Sequence, residues 1–339
     1  MKKFCFVFLM WIIFIMVVPI FVVLVSNISN SKISKINEDD NIINNKDEEV
    51  WINLYLSSED RVIKLSLEDY VVGVVSAEMP AEFNEEALKA QAVASRTYAL
   101  THVTIFGGKM YNEEIGADLI DTQANQAYLS KEERYESWAE DKRAFYWNKI
   151  VEAVNETKGE IIAYDGKLIE APYYFSTSSG ETENSQDVFS CSEPYLVSVE
   201  SKGEEIAPKY ESDKFILKTS FVNTINNAYK DASLDVDSLE DNINIESRTE
   251  AGSVKEIKIG KITLEGTKFR SLLGLNSANF SISFNNDEIK ISCKGYGHGV
   301  GMSQWGARVM GNSGSGYEEI LKHYYHNTEI VPYYELKKS

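Results

Sequence analysis

The sequence predicts an α+β fold: mixed helices and antiparallel strands in one large extracytoplasmic domain with a peripheral inserted lobe, preceded by one transmembrane helix. Three observations carry this. Short alternating strands are interspersed with helical stretches and turns, without the regular spacing of βαβ units. Residues Phe4 to Val25 are 22 positions without a charge, long enough to cross a bilayer as a helix. One charge-rich segment, residues 202–250, interrupts the domain and reads as a peripheral lobe.

Taken in order, Lys2 and Lys3 before the apolar run place residues 1–3 in the cytoplasm. The run at 4–25 is longer than a signal-peptide core and lacks a small-residue cleavage site, so an uncleaved anchor is expected. Residues 26–48, rich in Asn, Ser, Asp, Glu and Lys, carry too little apolar surface to order and read as a tether. The folded domain spans 49–339. Trp51 to Leu56 and Val62 to Leu67 read as strands around a polar turn at Ser57 to Asp60. Val71, Val72, Val74 and Val75 form a buried apolar segment, ended by Ala77-Glu78-Met79-Pro80, where the proline keeps Met79 out of helical geometry. Asn84 reads as the N-cap of a helix to about His102, with Glu85 and Glu86 in the first turn. Ile105 to Gly116 reads as a loop, and Lys131 to Lys158 as one or two helices ending at Gly159. Asp165-Gly166 marks a hairpin between Glu160 to Tyr164 and Lys167 to Tyr174. Within the charged segment, Phe215 to Asp231 is an amphipathic helix candidate. Alternation returns at Val254 to Glu265, and Phe280 to Phe284 with Ile289 to Cys293 forms a last strand pair.

A net charge of −18 argues against nucleic acid, whose phosphates need neutralising by Lys and Arg. It also disfavours electrostatic adhesion to anionic lipid. An aromatic content of 12% suits a neutral, sugar-like substrate. Of three cysteines, Cys5 lies in the expected anchor, and nothing in the spacing supports a disulfide between Cys191 and Cys293. No metal cluster and no cofactor motif emerges. Gly295, Gly297, Gly299 and Gly301 alternate, but a dinucleotide loop would need glycine where Val300 or Met302 stands.

The candidate chemistry centres on Glu78, a lone acid after small residues and before an Ala-rich helix. Apolar surroundings would raise its pKa; Glu82, Glu85 and Glu86 add like charge or form a solvated helix start. Candidate substrate contacts are Arg96, Ser176, Ser178, His298, Ser303, Gln304 and Trp305. Structural alternatives stand beside them: core ion-pairing or a helix-surface role for Arg96, a helix cap for Ser176 and Ser178, a helix start for Ser303 and Gln304, a structural role for His298, core filling for Trp305. No G-x-S-x-G elbow supports a serine nucleophile.

The run AEMPAEFNEEALKAQAVASRTYA, the Gly295 to Ala307 segment GYGHGVGMSQWGA and the loop YYFSTSSGETENSQDVF from Tyr173 resemble three signatures of the stage II sporulation protein D family. The resemblance implies a catalytic domain over 49–339 and a lytic transglycosylase acting on peptidoglycan glycan strands, preferably without stem peptides, during engulfment. It makes Glu78 the acid and base. It implies stage II sporulation proteins P and M as partners, and the sporulation septum and engulfing membrane as the location. Some members carry a Cys, His and Cys cluster before the sequence corresponding to Gln126-Ala127-Tyr128; here Asp118 to Asn125 has none, so zinc is not carried over. The rival reading is a non-catalytic glycan-binding scaffold that recruits other cell-wall enzymes.

Overall fold

In a computed structural model, which describes residues 49–189 and 191–336, the apolar run ahead of Glu78 is a helix. The expected anchor at 4–25 and tether at 26–48 lie outside the described residues. Ser66 starts the helix, its Oγ accepting the Asp69 N–H at 3.1 Å, with Glu68 and Asp69 in the first turn. This helix, Leu67–Glu78 (α1), buries Tyr70, Val71, Val72, Val74 and Val75. Met79, extended at φ −123° and ψ 135° ahead of Pro80, ends it. Glu78 is therefore the last helical residue, fixed by a stop built from its two successors.

Before α1, Trp51–Leu56 (β1) and Arg61–Ser66 (β2) pair antiparallel, and the short Leu119–Ile120 (β3) adds to β1 in parallel. After it, Asn84 accepts the Ala87 N–H at 2.9 Å and opens Glu85–Leu100 (α2). Alanines and small polar residues leave α2 buried on nearly every face, which lets neighbours approach closely. Around it pack α1, Arg143–Glu156 (α4), Glu160–Tyr164 (β4), Gln304–Asn312 (α8) and Tyr317–Tyr324 (α9). Lys131–Ser137 (α3), with a Ser130/Glu133 capping box, precedes α4, so the 131–158 stretch holds two helices. Leu54, Val74, Leu88, Val93, Ile150 and Ile161 mark this first core.

The Asp165-Gly166 hairpin forms with φ of 52° and 73°, the left-handed pair that a two-residue turn of this kind requires. Its second strand is shorter than expected. Lys167–Leu168 (β5) pairs with β4, the chain then leaves the sheet before Pro172, and Tyr174–Phe175 (β6) pairs instead with Met302–Ser303 (β13) in parallel. Proline lacks the N–H that would continue the ladder.

A second core lies in the lobe. Glu211–Leu217 (β7), Glu288–Lys294 (β12) and Phe280–Phe284 (β11) form one sheet; Ile243–Arg248 (β8), Val254–Ile259 (β9) and Ile262–Glu265 (β10) form another. In their shared core Phe269 stacks on Phe280 and meets Phe221 at a tilt. The helix expected from Phe215 to Asp231 is divided: Phe215 to Leu217 ends β7, and the helix is Lys218–Ala228 (α6). Phe215 and Leu217 face solvent while Ile216 packs inward, a period of two rather than 3.6. This core runs from Phe221 to Cys293, past the charge-rich segment that opens it. Among the described residues no helix is long and apolar enough to cross a membrane.

Candidate active site

Glu78 stands half-buried on the wall of a cleft of about 560 Å³. Gln126, Tyr173, Tyr174, Ser176, His298 and Gln304 line the same space. Burial raises the Glu78 pKa, opposed by the Ala127 N–H, which donates to Oε1 at 2.9 Å. Its place at the C-terminal end of α1 works in the same direction as burial, because the helix dipole disfavours a negative charge there. The nearby glutamates do not crowd it: Glu86 pairs with Lys89 at 2.9 Å and accepts the Tyr317 N–H at 2.7 Å, the helix-start role.

Beneath Glu78 runs a buried polar chain. Gln304 Nε2 donates to Gln91 Oε1 at 3.1 Å, and Gln91 Nε2 donates to Ser95 Oγ at 2.9 Å. Ser95 bonds the Tyr174 hydroxyl, which also accepts from Gln126 Nε2 at 2.9 Å; Tyr70 Oη donates to Gln126 Oε1 at 3.1 Å. Burial and the nearby Glu78 charge push the Tyr174 hydroxyl well up, so it stays a neutral phenol. Every member is held by a partner, which fixes the floor of the cleft.

The glycine loop forms the facing wall. Gly295, Gly297, Gly299 and Gly301 all have positive φ. At Gly301 a Cβ would meet the Tyr173 carbonyl oxygen at 2.0 Å, and at Gly297 it would meet Phe175 Cβ at 2.8 Å, so glycine is required for this close approach to β6. The approach delivers His298. Its Nδ1 lies 3.1 Å from the Val300 N–H, which only donates, so the ring proton sits on Nε2 and bonds the Tyr174 carbonyl at 3.1 Å. Burial, then the neighbouring Arg270 cation, push its pKa down to about 4 against that carbonyl. His298 is a neutral strut in the cleft wall.

Of the expected contacts, Ser176, His298 and Gln304 line the cleft with Glu78. Arg96, Ser178, Ser303 and Trp305 do not. Arg96 is fully buried on the far side of α2, forked onto Glu68. Ser178 Oγ donates to the Glu181 carbonyl, and Ser303 caps α8 through the Gly306 N–H. Trp305 packs edge-on against Phe83 under the Arg308 guanidinium. Sequence reasoning passed over Tyr174, Gln126 and Arg270, all in the cleft wall; Tyr174 stands in the loop motif that begins at Tyr173 and Gln126 in Gln126-Ala127-Tyr128, whereas Arg270 stands in no motif. Past Tyr98, Asn125 and Tyr173 the cleft adjoins a second basin of about 810 Å³. A larger hollow of about 910 Å³ lies remote from Glu78, at Leu217, Lys218 and Asn285 on the lobe.

The family model described as "Stage II sporulation protein" matches residues 55–164, which include Glu78 and all of α2. Stage II sporulation protein D of Bacillus subtilis is 38% identical over 281 residues, 83% of this chain and 79% of its own length. The chain belongs to the stage II sporulation protein D family. The protein of that name from Bacillus amyloliquefaciens is 37% identical over 84% of this chain and 80% of its own. A more distant relative, the "Amidase enhancer" of Bacillus subtilis, is 29% identical over 77% of this chain and 40% of its own. Membership gives the protein its role in sporulation.

In this member of the family the serine loop is tied down by a buried acid. Glu204 accepts from Ser303 Oγ at 2.6 Å, the Ser178 N–H at 2.8 Å and Ser201 Oγ, and Ser201 also meets the Tyr324 hydroxyl. One carboxylate thus links the loop after β6 to the start of α8 and to α9. Burial lifts its pKa from 4.5 to about 7 despite the three donors. The folded pKa lies above the unfolded one, so its contribution to stability is full below pH 4.5, falls across that window and is lost above about 7. The loss amounts to about 3 kcal/mol. Urea midpoints should therefore fall between about pH 5 and about pH 8, and Glu204→Gln should flatten that slope; an unchanged slope in the variant would assign the pH dependence elsewhere.

Among the described residues no group of three or more His, Cys, Asp or Glu is arranged to hold a metal. Cys191 is exposed and Cys293 buried, and neither is in a disulfide. Asp118, at the head of the Asp118 to Asn125 stretch, is engaged by Asn53, whose N–H and Nδ2 donate to its Oδ2 at 2.8 and 3.0 Å.

Proposed function

We propose that the protein is a lytic transglycosylase of peptidoglycan glycan strands, preferring strands without stem peptides, with Glu78 as acid and then base. The observation that carries the reading is a single carboxyl group, its pKa raised by burial, in a cleft whose other walls are neutral hydrogen-bonding groups, aromatic rings and one cation, Arg270, with no second carboxylate among the lining residues. A hydrolase commonly needs a second carboxylate about 5 to 9.5 Å away to serve as nucleophile or to activate water. Cyclisation within the sugar does not. Protonated Glu78 gives its proton to the glycosidic oxygen as the C1–O bond breaks, and positive charge develops at C1. The 6-hydroxyl oxygen of the same sugar then bonds to C1 while its proton passes to ionised Glu78. The strand is cut, a 1,6-anhydro-N-acetylmuramic acid end forms, water is not consumed, and Glu78 is returned protonated.

Because the first step needs the protonated acid, kcat/KM should fall as pH rises through the elevated Glu78 pKa. A pH profile flat on its alkaline side would argue against Glu78 as the acid. Mass spectrometry of fragments released from purified peptide-free strands tests the reaction itself: anhydro ends that vanish in Glu78→Gln support it, and reducing ends assign a hydrolase. In this reading the activity belongs at the sporulation septum and engulfing membrane. The same reading takes stage II sporulation proteins P and M as partners and residues 4–25 as the membrane anchor. A second reading, a glycan-binding scaffold that raises the activity of other wall enzymes, is favoured by the name of the amidase-enhancer relative. Strand binding with no release of fragments would select it.

A further inference from the structure

The lobe's second core has one side chain in the cleft. Arg270, in Gly266–Leu273 (α7), lines the same space as Glu78, Ser176 and His298. Its Nε donates to the Leu275 carbonyl at 3.2 Å, where the chain turns back through Gly274 at φ 57°. That bond aims the guanidinium, and its two Nη groups have no hydrogen-bond or carboxylate partner among the described residues. Other arginines are engaged: Arg61 and Arg96 in ion pairs, Arg134 and Arg308 over aromatic rings. Burial pushes the Arg270 pKa down from its ordinary value, the mark of a cation short of water and without an anion. In a chain of net charge −18, a cation left unpaired in a cleft suits an anionic group on the ligand, because its desolvation is offset only when an opposite charge arrives.

The identity of that anion rests on the glycan reading above. A peptidoglycan strand carries one carboxylate on its own sugars, the lactyl ether of the muramyl residue. It is free when the stem peptide is absent and is an amide when the peptide is attached. A guanidinium fork matches a carboxylate in two parallel hydrogen bonds and gains far less from an amide, which carries no charge and offers one acceptor. We infer that Arg270 receives the free lactyl carboxylate of a muramyl residue bound beside Glu78, and is the residue by which the cleft distinguishes peptide-free from peptide-bearing strands. The lobe then has a defined part in recognition: α7 presents the fork, and the strands leading through Cys293 deliver Tyr296 and His298 to the same wall.

The test is equilibrium binding of the full-length protein to purified peptide-free strands, with lactyl carboxylates either free or converted to methylamides. The wild-type chain should prefer the free acid by about ten- to a hundredfold, the range for a charge-assisted pair. Arg270→Gln should bind both forms alike, at the weaker affinity, and Arg270→Lys should keep only part of the preference. Lys268→Gln, an exposed charge nearby on the same helix that pairs with Glu265, should keep all of it. Equal wild-type affinity for the two strands, or a preference that survives in Arg270→Gln, overturns the inference while leaving the glycan reading intact. Failure of the wild-type chain to bind either strand overturns both. Because the readout is binding, inactivity as a transglycosylase does not disturb it.

Discussion

Glu78→Gln is expected to lower kcat by about a hundred- to ten-thousandfold, the usual effect of losing a general acid and base, with little change in affinity for the strand. The substitution is nearly isosteric, and the glutamine carbonyl can still accept the Ala127 N–H that Glu78 Oε1 accepts at 2.9 Å. The Val71 to Val75 packing behind it and the Met79-Pro80 stop after it are untouched. What disappears is the proton, which an amide cannot supply to the leaving oxygen or recover from the 6-hydroxyl. Single-turnover cleavage and equilibrium binding, measured on the same strands, separate the two effects. Loss of binding together with rate would make Glu78 a ligand contact, and unchanged cleavage would remove it from the chemistry.

The other large effect expected is structural. Arg96→Ala should destabilise the domain by about 3–5 kcal/mol, the range for removing one partner of a buried ion pair, and so should be read in urea midpoints rather than in rates. Arg96 is fully buried. Its Nε and Nη2 hold Glu68 at 3.0 and 2.6 Å, Nη1 donates to the Glu160 carbonyl at 3.0 Å, and Nη2 donates to the Val154 carbonyl at 3.2 Å. One side chain thereby joins the start of α1, the end of α4 and the start of β4. Glu68 also accepts the Gly159 N–H at 3.2 Å, so its carboxylate would keep one weak partner in the variant. Arg96→Lys should be intermediate, since an ammonium keeps the charge without the fork. A marginal domain can lose most of its stability this way, so any fall in activity should track the folded fraction. An alanine variant of native stability would contradict this role.

The elements that sequence reasoning places well are those whose signal is local. Asn84 with Glu85 and Glu86 marks a helix start by capping chemistry alone, and Asp165-Gly166 marks a turn because both residues accept positive φ. Phe215 to Leu217 goes the other way: three residues cannot separate a period of two from 3.6, and pairing of Phe215 with Lys290, far along the chain, makes the segment a strand. The cleft is legible only in part for the same reason. Glu78, Ser176, His298 and Gln304 stand in motifs that single them out one by one, whereas Arg96 and Ser303 stand in the same motifs and turn inward to Glu68 and Glu204. Helical periodicity places a residue on a face without saying what that face meets. Arg270 has no motif at all, and its position depends on the whole second core folding against the first.

The proposed function requires that one half-buried carboxyl, Glu78, cut the strand without water. It is tested most directly by running the cleavage in water enriched in heavy oxygen and weighing the released ends. The released ends should be lighter than a reducing end by one water, carry no heavy oxygen, and be absent with Glu78→Gln. Heavy oxygen at C1 of the new ends would show water as the nucleophile and contradict the account.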